Sequence, residues 1–147
     1  GYAIFARIRE TRPSLFVALG DLVYADDACK PESWYGYAQV EGPPPATAEV
    51  EAFRRHWRYN RADPAFQELL RSTSILSVWD DHEIVNDAGP AHDETKDAPG
   101  AHRLPPARAA FVDWQPLERD ATFHRSLRWG KHAEIFVLDT RSQRDPN

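Results

Sequence analysis

The chain has 147 residues, which is long enough for one domain with a hydrophobic core. Apolar residues make up 41% of the sequence, and no apolar run is long enough to cross a bilayer, so we predict no membrane insertion. The net charge of −5 argues against specific binding of nucleic acids through a basic face, but it is compatible with a phosphate substrate if bound metal ions dominate the local field.

Helices and short strands are predicted to alternate in the first part of the chain. Tyr2, Phe5 and Ile8 recur at helical spacing, and they predict a short amphipathic helix that ends before Pro13. The apolar run at 15–19 follows this helix and predicts a buried strand.

Two further helices and a second strand are predicted between residues 47 and 79. Thr47 can cap a helix that runs to about residue 60. Asp63 and Pro64 combine a capping residue with proline at the first helical position, and they predict the start of the next helix. That helix leads into a second buried strand at 74–79.

The last part of the chain predicts a long loop, a helix and a β-hairpin. Residues 86–104 are rich in Gly, Pro, Ala, Asp and His and are expected to form the loop. Residues 106–114 are predicted to be helical, and Gly130 begins the tight turn of a hairpin whose return strand covers 133–138. This succession of helices and strands predicts an α/β fold.

Acidic side chains directly follow both of the predicted buried strands. Asp21 comes after the strand at 15–19, and Asp81 and His82 come after the strand at 74–79. Ligands of open α/β sheets bind outside the carboxyl ends of the strands. Carboxylate oxygens and an imidazole nitrogen suit a divalent or trivalent metal, so two neighbouring strands would deliver one shared metal site.

Each of these residues has a functional and a structural interpretation. Asp21 could bridge two cations about 3.5–4 Å apart, as in two-metal hydrolases, or it could cap a turn. Tyr24 could offer its phenolate oxygen to the same metal or pack at the rim of the site. Asp81 could be a metal ligand beside His82 as proton donor or charge stabiliser, or the pair could be a helix cap and a surface histidine.

Arg141 follows the return strand of the predicted hairpin. Its guanidinium could bind a phosphate in bidentate fashion, or it could form a salt bridge with Asp139 or Glu118. Cys29 is the single cysteine, so an internal disulfide is excluded, and we interpret it as an unmodified thiol in a polar loop.

Three acidic residues near the predicted site have less obvious roles. We interpret Asp26 and Asp27 as solvated loop carboxylates. Glu83 could orient His82 through a hydrogen bond without binding the metal itself, or it could simply begin a helix.

Several segments together resemble the PhoD-like alkaline phosphatase/phosphodiesterase family. In chain order they are Gly-Asp-Leu-Val-Tyr at 20–24, Trp-Asp-Asp-His-Glu at 79–83 and Leu-Asp-Thr-Arg at 138–141, with further similarity at 56–60 and 128–131. Asp-Asp-His-Glu is the more specific motif, whereas Gly-Asp-x-x-Tyr also resembles the purple acid phosphatases.

The resemblance implies a four-layer α-β-β-α metallophosphoesterase fold of the calcineurin-like type. It implies hydrolysis of small phosphate mono- and diesters with Fe³⁺ and Ca²⁺ as cofactors. Asp21 would bridge the two metals, Tyr24 would bind the iron, and Asp81 would bind the second metal. His82 and Arg141 would be the catalytic residues. Members of the family are typically exported, which implies a periplasmic or secreted protein.

The family pattern also includes parts that this sequence does not carry. The family has a first strand with a metal-binding cysteine upstream of the position of Gly1, and a Gly-Asp-x-His segment downstream of Asn147. We therefore interpret residues 1–147 as a partial PhoD-like metallophosphatase domain, which is expected to be inactive alone because metal sites that lack ligands lose affinity and geometry.

Two other functions are compatible with the residues alone. The carboxylates between 80 and 97 could form a non-catalytic acidic module that binds calcium. Trp34, Tyr35 and Tyr37 could form an interaction surface.

Overall fold

The computed structural model describes residues 3–28, 30–31, 40–89, 100–118 and 123–143, which form four helices and four strands. In chain order these are α1 (Ala3–Glu10), β1 (Leu15–Ala18), α2 (Val50–Arg61), α3 (Pro64–Ser72), β2 (Ser74–Ser77), α4 (Gly100–Trp114), β3 (Arg125–Trp129) and β4 (Ala133–Val137). The predicted order of elements is confirmed.

The two strands that precede the acidic motifs are neighbours. β1 pairs with β2 in parallel, in a register that places Leu15 opposite Ser74 and Ala18 opposite Ser77. Because the register is unshifted, both strands end at the same edge of the sheet. The residues that follow Ala18 and Ser77 are therefore brought together, as expected for acidic residues that follow two neighbouring strands.

An aromatic cluster fixes α1 and α3 against one side of this strand pair. The rings of Phe5 and Phe66 stack with their centroids 4.1 Å apart, and Phe16 of β1 meets Phe66 edge-to-face at 6.4 Å. Phe66 is fully buried, and burial of such a side chain contributes about 1.5–3 kcal/mol. The cluster therefore anchors β1, and with it the segment that carries Asp21.

A second and larger core lies between α2 and α4. Trp57 meets Phe111 edge-to-face at 5.7 Å, and Trp79 packs against Phe123 at 4.6 Å. All four side chains are buried. Since Trp79 directly precedes Asp80, this core fixes the position of the second acidic motif.

The start of α3 is as predicted, whereas the starts of α2 and α4 are not. The Asp63 carboxylate accepts a hydrogen bond from the Phe66 N–H at 2.9 Å and caps α3. α2 begins after Glu49 without a side-chain cap, so the predicted cap at Thr47 is wrong. α4 begins at Gly100, so residues 100–104 are helical rather than part of the predicted loop. Pro105 and Pro106 lie inside this helix, beyond its first turn, and Pro106 therefore does not mark the start.

The predicted hairpin is confirmed, whereas the strands predicted to be buried at 15–19 and 74–79 are buried only in part. β3 and β4 pair antiparallel, with Arg125 opposite Val137. Leu19 and Phe136 are 78% and 69% exposed, and both line an apolar groove of about 300 Å³ between the two strand pairs. Several apolar side chains of the strands are therefore exposed within the described residues.

The mixed α/β class is confirmed by this architecture, in which a parallel strand pair and an antiparallel hairpin are combined with helices. In the part of the chain that the structure describes, no helix has both the length and the apolar character needed to cross a membrane.

Candidate metal centre

Two consecutive residues with positive φ turn the chain sharply after β1. Gly20 has φ +103° and Asp21 has φ +52°, a region that glycine occupies freely and aspartate tolerates. A Cβ at Gly20 would lie 2.8 Å from the backbone nitrogen of Asp80 and would overlap the Asp80 side chain. Gly20 therefore permits a backbone approach between the two strand-end segments that no other residue allows.

This approach brings three of the predicted site residues together. One donor atom from each of Asp21, Asp81 and His82 lies within 4.8 Å of the others. Asp81 is buried, whereas Asp21 and His82 are partly exposed, so the cluster is open to solvent on one side. Two carboxylates and an imidazole at this spacing are a donor set that can hold a cation.

The two carboxylates of the cluster have opposite electrostatic surroundings. Burial raises the pKa of Asp21, and the neighbouring charges of Asp80 and Asp81 add to this effect against the opposing influence of His82. For Asp81, burial also favours a higher pKa, but the backbone N–H of Asp87 and the guanidinium of Arg141 outweigh it and lower the pKa. Asp21 is therefore the carboxylate whose charge is poorly compensated.

Tyr24 joins the cluster through the histidine ring. Its ring stacks on His82 with centroids 4.1 Å apart and an interplanar angle of 23°. Burial raises the pKa of Tyr24, and the charge of Asp21 raises it further. The phenol will therefore remain protonated unless a cation binds beside it, and its role as an iron ligand stays a prediction.

Arg141 lies at the same edge, but its partners are not those proposed from the sequence. Its guanidinium binds the carboxylate of Asp80 and lies 3.4 Å from Asp81 Oδ1. The Asp139 carboxylate instead accepts the backbone N–H of Arg141 at 3.2 Å and the Trp79 indole N–H at 2.9 Å. The alternative salt bridge with Asp139 or Glu118 is therefore wrong, because the turn after β4 directs the guanidinium towards the acidic cluster.

Glu83 has a role that neither sequence interpretation contained. Its buried carboxylate accepts backbone N–H groups from Leu22 at 2.7 Å, Asp80 at 2.8 Å and Asp21 at 3.0 Å. Burial raises the pKa of Glu83 to about 7, while these N–H groups oppose the rise. Glu83 thus ties the two strand-end segments together and does not begin a helix, and the carboxylate hydrogen-bonded to the His82 ring is that of Asp26.

Asp26 was expected to be a solvated carboxylate, and that expectation is wrong. Its two carboxylate oxygens lie 2.9 Å from His82 Nδ1, and one of them also accepts the Asn86 N–H at 2.7 Å. Only 11% of the Asp26 side chain is exposed. The signal that could have identified it is its place five residues after Asp21, on the same strand-end segment.

Several other predicted features lie outside the described residues. They are Cys29, the aromatic residues Trp34, Tyr35 and Tyr37, and the acidic stretch from 90 to 97. The interaction surface and part of the calcium-module hypothesis therefore stay predictions.

The fold and the cluster define an α/β protein with a candidate metal centre at the carboxyl ends of two paired parallel strands. The chain belongs to the PhoD-like phosphatase family, which its sequence matches over residues 1–147. The resemblance seen in the sequence motifs is thereby confirmed.

A solved structure described as "Structure of PhoD" has the same fold. It superposes with a TM-score of 0.83 at 23% sequence identity, and the match covers 98% of this chain and 29% of that chain. This chain therefore spans less than a third of the length of the PhoD structure. A search of curated proteins finds no match.

Proposed function

We propose that this chain is part of a metal-dependent phosphoric ester hydrolase that acts on small phosphate mono- or diesters. The observation that supports this proposal most directly is the convergence of Asp21, Asp81 and His82, whose donor atoms lie within 4.8 Å of one another at the ends of two paired strands. Membership of the PhoD-like phosphatase family supplies the reaction class.

The chemistry of the donor set fits a hard cation. Within the described residues, Asp21 Oδ1 is buried and has no hydrogen-bond partner, and an ionised carboxylate can only accept. A buried acceptor without a partner costs about 1–3 kcal/mol, which a bound cation would offset. Asp21 is therefore the residue whose burial a bound metal ion would stabilise most.

We propose Fe³⁺ and Ca²⁺ as the two metals. Asp21 would bridge them, Tyr24 would bind the iron, and Asp81 would bind the second metal, since carboxylate and phenolate oxygens suit hard cations. The metals would supply Lewis acidity and would lower the pKa of a bound water towards neutrality.

His82 and Arg141 are the groups that would act on the phosphate ester. His82 is stacked on Tyr24 and only partly exposed, so its free ring nitrogen can donate a proton to the leaving group or stabilise the developing charge. Arg141 extends its guanidinium into the same cluster beside Asp81, from where it can bind a phosphoryl oxygen once a cation neutralises the carboxylates.

The activity is proposed for a protein that supplies the rest of the PhoD fold as well. This chain spans 29% of the matched PhoD structure, and we propose that residues 1–147 alone are inactive. In the longer protein, the two strand pairs would belong to the two sheets of a four-layer α-β-β-α fold. A periplasmic or secreted location is proposed from the family.

The test is hydrolysis of a chromogenic phosphodiester by the full-length protein carrying Asp21→Asn. We expect kcat to fall by more than about 100-fold, since even outer partners of metal ligands cost 10–100-fold when they are changed. The matched control is Asp27→Asn, which removes the same charge from an exposed residue. Full activity of Asp21→Asn would exclude the proposed site.

Calcium titration by calorimetry separates this proposal from the acidic calcium-binding module. Binding of calcium by the full-length protein without any hydrolysis would favour the module. Loss of both calcium binding and hydrolysis in Asp21→Asn would favour the hydrolase.

A further inference from the structure

Asp139 lies just after β4, and its buried carboxylate has a full set of hydrogen-bond donors. Three N–H groups donate to Oδ1: the indole of Trp79 at 2.9 Å and the backbone groups of Ser142 at 2.9 Å and Arg141 at 3.2 Å. The Ser142 hydroxyl donates to Oδ2. An ionised carboxylate can only accept, so these donors satisfy Asp139 without a cation.

The indole of Trp79 connects Asp139 to the parallel strand pair. Trp79 follows β2, is 1% exposed, and packs against Phe123 in the larger core. The two strand pairs form separate sheets, so no backbone ladder holds the turn after β4 beside the turn after β2 within the described residues. The buried hydrogen bond from Trp79 to Asp139 therefore supplies a fixed link between these turns.

The side chain of Arg141 starts from the turn after β4 and extends to the acidic residues that follow Trp79. Its Nε–H donates to the Asp80 carboxylate, and its Nη2 lies 3.4 Å from Asp81 Oδ1. Only 14% of the arginine side chain is exposed. One oxygen of Asp139 binds both the Arg141 N–H and the Trp79 indole. It therefore fixes the base of the arginine side chain relative to the acidic segment.

We propose that Asp139 is a positioning residue, which holds the turn after β4 so that the guanidinium of Arg141 reaches the acidic cluster and a phosphate ester bound there. In this role Asp139 acts through Arg141 and does not touch the substrate. Misplacement of a substrate-binding group by about 1 Å can lower the rate by about 100-fold. The effect on hydrolysis rests on the proposed function, whereas the position of the guanidinium rests on the hydrogen bonds alone.

Crystal structures of the full-length protein and its Asp139 variants test the position of the guanidinium. Asp139→Ala removes both carboxylate oxygens, and we expect the guanidinium of Arg141 to shift by about 1 Å or more and to leave the Asp80 carboxylate. Asp139→Asn keeps an oxygen that can accept the three N–H groups and should restore the original position. An unmoved guanidinium in Asp139→Ala would overturn the proposal.

The effect on hydrolysis is measured with a chromogenic phosphodiester in a double-mutant cycle. Asp139→Ala should lower kcat by about 10–100-fold, and Asp139→Asn should retain most of the rate. In an Arg141→Gln background, Asp139→Ala should lower kcat by less than about 3-fold, because residues that act as a unit are not additive. A loss by the same factor in both backgrounds would indicate a purely structural role and would overturn the proposal.

Asp63→Ala is the matched control for a general loss of stability. Asp63 and Asp139 are 8% and 9% exposed, and the Asp63 carboxylate also accepts a backbone N–H, that of Phe66 at 2.9 Å. Asp63→Ala should lose stability in urea unfolding but retain the full kcat. An equal loss of kcat in both alanine variants would overturn the proposal, since instability would then explain both. If the unaltered full-length protein hydrolyses no phosphate ester, the proposed function fails, and the crystal structures still decide the role of Asp139.

Discussion

Gly20 is the position at which one added methyl group should disturb both stability and the candidate site. Its φ of +103° lies outside the left-handed well near +57° that other residues reach, and such strain costs about 1–3 kcal/mol. The new Cβ would also lie 2.8 Å from the backbone nitrogen of Asp80. Overpacking of this kind costs a further 1–3 kcal/mol or so.

The loss expected for Gly20→Ala is therefore about 2–6 kcal/mol, a large part of the 5–15 kcal/mol or so that typically stabilises a domain. The clash involves the backbone of Asp80, so a change of rotamer cannot relieve it. The two strand-end segments would have to separate, which would also move Asp21 away from Asp81. We therefore expect weaker metal binding in the fraction of the protein that remains folded.

Gly130 provides a matched control for the same substitution. It has φ +67°, and no atom lies within 4 Å of the position that its Cβ would take. Gly130→Ala should therefore cost about 1 kcal/mol, from the backbone conformation alone. Urea unfolding with linear extrapolation measures both variants. Equal losses of stability in the two variants would refute the argument that the approach of Gly20 to Asp80 is tight.

Two further predictions concern buried polar groups. Glu83→Ala leaves three backbone N–H groups without an acceptor and should lower the free energy of unfolding by about 2–4 kcal/mol. The control Glu41→Ala changes an exposed residue and should alter the free energy of unfolding little. Equal urea midpoints for these two variants would contradict the prediction. Burial lowers the pKa of His56 below 6.5, with its ring nitrogen 3.0 Å from the Pro44 oxygen. The unfolded state therefore binds the proton more readily, and stability should fall as the pH drops below about 6.5. His56→Gln should reduce this fall between pH 7.5 and 5.5 in urea titrations, and an unchanged slope would exclude His56 as its cause.

Local signals in the sequence were sufficient to locate most of the fold. The capping aspartate and proline at 63 and 64 start α3 as predicted, since the cap uses atoms only three residues apart. The apolar runs before Asp21 and Asp81 form β1 and β2, and their parallel pairing follows from the intervening helices. The convergence of Asp21, Asp81 and His82 was predictable for the same reason: strand ends at one edge of a sheet must meet.

The partners of the site residues could not be predicted in the same way. Glu83 binds backbone groups about 60 residues away, and such contacts leave no trace in composition or periodicity. Asp26 looks like any acidic loop residue until the turn after β2 places His82 beside it. Both roles depend on the distance between the segment after β1 and the segment after β2, and the close approach of Gly20 to Asp80 sets this distance.

The charges at the strand ends explain why several hydrogen bonds are needed to hold together the segments after β1 and β2. Asp21, Asp80 and Asp81 repel one another, and Arg141 neutralises chiefly the latter two. The repulsion opposes the approach of the segments that Gly20 permits. Glu83 offsets it by accepting backbone hydrogen bonds from both segments, although it adds a further buried carboxylate. This concentration of negative charge, together with a buried oxygen of Asp21 that has no donor within the described residues, supports the proposal that a cation binds at that oxygen.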